Sequence, residues 1–246
     1  MRYRKAPILE AVLEFRWSSS KTLDELKHVL SLSAFSGFEA PKKRIRIDAA
    51  VNLDQNAISH KQKEFGFEAS ARDGSQAVFL EEQKFVFVQR APYDRWETYS
   101  ARAMGLLREV TESLSIDEFS RVGLRFVNRI DIPSENGSTI DTDDYVTIKF
   151  DGPRHDRGVI EEFQMRVVKP TEKDGIHYAL VVATTSSPLP NHSAILLDID
   201  VFTRQPVVSD QKILSYTLGE MRIVKNEIFE ECLTDKARAL FGGVDE

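Results

Sequence analysis

Two segments of this 246-residue chain carry charged side chains in strict alternation with apolar ones, and the charges are of the kind that bind anions or move protons. Within residues 7–17, Glu10, Glu14 and Arg16 fall opposite Leu9, Ala11, Leu13, Phe15 and Trp17. Within residues 121–132, Arg121, Arg125, Arg129 and Asp131 fall opposite Val122, Leu124, Phe126, Ile130 and Ile132. A period of two is a strand with one buried face. If the two strands pair, their charges meet across the ladder. The result is either a row of ion pairs on a sheet face, each worth roughly 0.2–1 kcal/mol, or a cavity. In the cavity reading Glu14, Arg125 and Arg129 hold a small anionic ligand through planar guanidinium forks. Asn128, on the otherwise apolar side, reads as a satisfied core amide or as the mark of a bulge.

A second group lies at residues 92–97 (PYDRWE). Pro92 stiffens a strand-to-helix turn, Asp94 with Glu97 offers an N-cap, and Trp96 anchors the helix on the sheet. The same stretch presents Tyr93, Arg95 and Trp96 as a partner-binding surface, because Tyr, Trp and Arg are the side chains that dominate interface anchors. Both roles are compatible.

Other chemistry is thinly supported. Asp198 and Asp200 share a strand face, with Thr184 or His177 on a neighbour, yet no third ligand is placed for a metal. Asp141, Asp143 and Asp144 lack the glycine and terminal glutamate of a calcium loop. The five histidines are scattered, and Cys232 sits on the apolar side of a helix as a small core residue. No nucleophile elbow, phosphate-binding glycine loop or dinucleotide fingerprint occurs. We expect no catalytic residue, no metal and no cofactor.

Composition narrows the class further. A net charge of -6 and a pI near 5.5 argue against a general nucleic-acid binder. The basic cluster Lys42, Lys43, Arg44 and Arg46 reads as a charged edge strand. A single cysteine excludes an intramolecular disulfide. The N-terminal segment has no clean apolar run, and nowhere do about 18 apolar residues follow one another. These features lead us to expect a cytoplasmic protein with no membrane segment.

Around the charged strands the chain reads as α+β. A capping box at Thr22 and Glu25 opens a short helix. Strands then extend over 44–53, 63–71, 77–82 and 85–90, with a turn at Asp73-Gly74. A long helix follows 94–97, and strands at 158–168, 176–185 and 194–204 precede a second long helix capped by Ser209. Thr234 starts a last short helix ending at Gly242-Gly243. The halves echo one another, which predicts antiparallel sheets each packed on a long helix. They form two lobes, 1–133 and 134–246, of a duplicated unit, or one continuous sheet. Long amphipathic helices and open edges also allow a homodimer.

Four segments, PILEAVLEFRW, RAPYDRWE, GLRFVNRIDIP and KNEIFEECLTDKARALFG, occur in that order. Together they make the chain resemble a sporadically distributed family of uncharacterised, mostly prokaryotic proteins of about this length. The resemblance carries no activity and no site residue. Patchy distribution is typical of mobile defence, toxin–antitoxin or accessory genes. The expectation is therefore a non-enzymatic binding or regulatory accessory protein acting through protein contacts. The alternative is a sensor of, or enzyme acting on, a small anion in a polar sheet cavity.

Overall fold

In the computed structural model, which describes residues 2–52, 57–93, 95–134, 141–149, 162–242 and 244–245, the apolar alternation becomes strands in the expected places. The elements run β1 (Arg2–Tyr3), β2 (Ile8–Arg16), α1 (Leu23–Leu30), β3 (Lys42–Asn52), β4 (Ala57–Ser70), β5 (Gln76–Glu81), β6 (Lys84–Arg90) and α2 (Trp96–Leu114). They continue as β7 (Glu118–Phe119), β8 (Arg121–Pro133), β9 (Gln164–Pro170), β10 (Ile176–Ser186), β11 (His192–Thr203), β12 (Val207–Val208), α3 (Gln211–Glu231), α4 (Asp235–Leu240) and β13 (Val244–Asp245).

Nine strands form a single antiparallel sheet in the order β3-β4-β5-β6-β2-β8-β11-β10-β9. The two charged strands of the sequence lie side by side at its centre. Each opens a repeat of the same order, the first starting at β2 and the second at β8, and is flanked on its outer side by the strand that immediately precedes the long helix of that repeat, β6 before α2 or β11 before α3 (apart from the two-residue β12). The expected boundary at 133/134 falls at the end of β8, whose ladder runs to β2 on one side and to β11 on the other. There is one sheet across that boundary, not two.

The helices cover one face. Leu13 and Phe15 of β2, Phe87 of β6, Leu106 and Val110 of α2, Leu124 and Phe126 of β8, Leu197 and Ile199 of β11, and Leu218 and Met221 of α3 belong to one buried cluster. A small second cluster (Ala77, Val86 and Val88) lies on the opposite face.

Local signals are met with two corrections. The Thr22–Glu25 capping box is formed, and Gly74 takes the positive φ that its turn requires. The N-cap of α3 is Asp210, whose carboxylate accepts from the Lys212 and Ile213 backbone N–H groups at 2.9 and 3.0 Å. Ser209 is drawn away because its own N–H donates to the Asp117 carbonyl at 2.8 Å. The expected cap Asp94 lies outside the described residues; α2 begins at Trp96 with Arg95 at the N-cap and no side-chain cap bond.

Candidate functional site between the two long helices

Register decides which charges meet on the uncovered face. In the β2–β8 ladder Glu14 lies opposite Gly123, and Arg125 lies opposite Val12. The arginine that reaches Glu14 is therefore Arg121. Its guanidinium lies across Gly123, donates to Glu14, donates to Asp200 at 2.8 Å and stacks over the Phe202 ring at 4.8 Å. Arg16 adds a two-bond fork to Glu14 at 2.9 and 3.0 Å. Arg125 forms a fork with Asp198 at 2.8 and 2.6 Å, which raises the guanidinium pKa further. Arg129 pairs with Asp131 on its own strand at 2.9 and 3.2 Å, and Asp131 also accepts from Ser187 at 2.7 Å.

Glu14, Arg125 and Arg129 thus occupy three separate pairings and do not converge on a common cavity. Asp198 and Asp200 are the arginines' counter-ions. Burial pushes the Asp200 carboxyl upward, and Arg121 opposes that shift. Among the described residues no three His, Cys, Asp or Glu side chains gather as a metal site. The basic cluster is likewise engaged. Arg44 pairs with Glu81 and stacks on Phe65 and Phe79, Lys43 meets Glu64 at 2.9 Å, and Arg46 meets Asp48 at 3.6 Å. Cys232 is buried, and that burial raises its thiol pKa to about 12, which leaves it inert.

The large cavity is on the other side, beneath the helices. It measures about 1160 Å³. One wall is residues 4–8 before and into β2, another is Ala91, Pro92 and Tyr93 with Arg95, Trp96 and Glu97, and the third is the last part of α3 from Arg222 to Glu231. Phe126 and Asn128 of β8 form its floor. A bulge adjoins this space: the register slips between Ile8 and Glu10, opposite Asn128 and Val127. Asn128 is both things the sequence suggested. It sits beside the bulge, and its Nδ2 donates to the carbonyls of Leu197 at 3.0 Å and Phe126 at 3.3 Å.

Tyr93, Arg95 and Trp96, expected as one surface, are brought together on the cavity wall. The Ala91–Pro92 peptide at the head of this turn is cis. Tyr93 packs edge-on against Phe126 at 5.4 Å and against Tyr99 at 5.7 Å, and Trp96 lies 6.0 Å from Tyr99. The Tyr99 hydroxyl is buried with no hydrogen-bond partner among the described residues, and burial holds its pKa well above the ordinary value.

Opposite this aromatic wall stands Lys225. Its Nζ lies 4.2 Å from the Phe126 ring centroid, and no carboxylate among the described residues pairs with it. Two of the acids on the cavity wall are committed elsewhere. Glu230 accepts from the Tyr3 hydroxyl at 2.8 Å and from Arg238 at 3.2 Å; Glu97 takes Arg222 at 3.1 Å. Arg222 itself lies over Trp96 at 5.4 Å. Burial, helped by Arg222 one turn away and opposed by Glu230, pulls the Lys225 ammonium down to about 8. Exposed Lys5, Glu227 and Glu231 line the cavity as well, so it opens to solvent.

Lys225 has a signature in the sequence. The apolar stripe of α3 runs Leu214, Leu218, Met221, then Ile228 and Cys232, and the position that continues the spacing after Met221 is Lys225. A cation inside an apolar stripe needs either a partner or a cavity. Phe126 and Arg222 carry no comparable signal, since each fits an ordinary strand or helix position.

No protein-family model and no curated protein matches this chain. Its class rests on the structure alone: an α+β protein built on one large antiparallel sheet, with a cavity under its two long helices. No helix among the described residues is long and apolar enough to cross a membrane.

Proposed function

We propose that the protein binds a small molecule with an aromatic or aliphatic body and an acidic group, and serves as an accessory or regulatory protein through that binding. The observation that carries this reading is Lys225, a cation facing a large cavity with an aromatic floor and no carboxylate partner among the described residues. An ionised amine in such surroundings is destabilised by lost hydration, and a ligand carboxylate or phosphate would supply the missing charge-assisted hydrogen bonds. Tyr93, Arg95 and Trp96 then serve to recognise the ligand body. Glu14, Arg125 and Arg129 take the role of stiffening the uncovered sheet face.

The test is native mass spectrometry of the protein recovered from its own source, set against its denatured mass. A reproducible excess mass that disappears on denaturation, and is lost in Lys225→Met, is the expected result. A bare mass together with unchanged Trp96 fluorescence across a panel of aromatic and aliphatic acids would sink the proposal.

A second reading, action through protein contacts, is supported by the outward side of α3. Ile213, Tyr216 and Ile223 are 45%, 71% and 46% exposed there. A partner protein or a second copy would cover them. The parallel strand order of the halves supports an origin by duplication, and the resemblance to a sporadic prokaryotic family supports an accessory role. A lone buried thiol suits a cytoplasmic location.

A further inference from the structure

We propose that Lys225 captures carbonyl compounds covalently: its amine condenses in the cavity with an aldehyde or ketone of aromatic or aliphatic body, giving an imine and releasing water. This deepens the ligand-binding reading and rests on it. Four observations carry the chemistry. The amine faces the cavity, and no carboxylate among the described residues pairs with it. The amine lies half-buried beside the Phe126 ring, where lost hydration works against the charged form and the cation–π contact with the ring face returns part of that cost. Arg222, one helical turn away, disfavours a second positive charge. Asn128, two residues beyond Phe126 on the same strand face, spends its Nδ2 on backbone carbonyls, which leaves Oδ1 to accept from a carbinolamine hydroxyl. The lowering of the ammonium to about 8 agrees with this geometry.

The step balances without a cofactor. The nitrogen lone pair forms the C–N bond while the carbonyl π pair moves to oxygen, which gains a proton as the nitrogen loses one. The carbinolamine then expels its oxygen as water, and the C=N bond closes. Carbon keeps its oxidation level throughout, and water leaves through the open rim.

The experiment uses 4-methylbenzaldehyde, which has a ring and a carbonyl and no acid to hold Lys225 as a counter-ion, with sodium cyanoborohydride at pH 8 and peptide mass mapping. A lysine half deprotonated at that pH has roughly a hundredfold larger neutral fraction than an ordinary one. We expect the reduced adduct to form at Lys225 at least about tenfold faster than at any other lysine, that figure being a conservative share of the same advantage. In Lys225→Arg the fast adduct should vanish while the fold is kept. A parallel titration follows Trp fluorescence with 4-methylbenzoate, which has no carbonyl to react. Uniform labelling with 4-methylbenzoate still bound would overturn carbonyl capture and leave the binding site intact. Uniform labelling with no binding would overturn both.

Discussion

Arg121 lies directly across Gly123, and a Cβ at position 123 would overlap its guanidinium. The absence of a side chain there lets one arginine bridge Glu14 of β2 and Asp200 of β11 over the intervening β8. Gly123→Ala should therefore push the flexible guanidinium aside and cost about 0.5–1 kcal/mol, the value of the partly exposed ion pairs that it disturbs. In an Arg121→Ala background the same alanine no longer meets the guanidinium and should cost less. A double-mutant cycle by urea unfolding measures the difference; additive costs would show that the two positions are independent.

Lys225 makes stability depend on pH with a defined sign. Its folded pKa, about 8, lies below the unfolded value of 10.5. The cost of burying the ammonium is fully present below about pH 8 and disappears as pH rises through the unfolded value. The titratable and charged groups that line its cavity are Arg222, Glu227, Glu230 and Glu231 from α3, Tyr93, Arg95 and Glu97 from the facing turn, and Tyr3, Arg4 and Lys5. Lys225→Met should raise stability at pH 7 by about 1–3 kcal/mol, given the partial exposure of the group. That gain should shrink steadily between pH 8 and 10.5 in thermal melts. A gain that is flat with pH would mean that the ammonium is not buried in the folded protein.

The same lysine ties acid binding to proton uptake. A bound carboxylate stabilises the ammonium, so near pH 8 the complex should take up about half a proton relative to the free protein. Uptake should fall toward pH 7. Calorimetric titrations of 4-methylbenzoate in buffers of different ionisation enthalpy count these protons directly, and zero uptake at pH 8 would place the carboxylate away from Lys225.

At the start of α3, Asp210→Ala should cost about 1 kcal/mol, because two backbone N–H groups lose their acceptor. Ser209→Ala should stay within about 0.5 kcal/mol, since Ser209 is held through its backbone. Chemical denaturation of the two variants distinguishes them.

Much of the sheet is legible in the chain because alternation is a local property. Val122, Leu124 and Phe126 announce a buried strand face wherever their strand ends up. The pairing of charges is less legible. Which arginine meets Glu14 depends on the β2–β8 register, and a shift of one pair would have chosen differently. Tyr93, Arg95 and Trp96 are readable as a recognition surface because they adjoin in sequence. The cavity they line is not, because its other walls come from residues 4–8 and from α3, more than 80 residues away in either direction. Lys225 was the one trace available, a charge in the apolar stripe of a helix.

The seam between β2 and β8 has a consequence for how the chain comes apart. Either half, on separating, would bare the inner edge of the other and open a core that runs through both. The two halves should therefore lose structure together, as one cooperative transition, in spite of strand orders that repeat on the two sides of the seam.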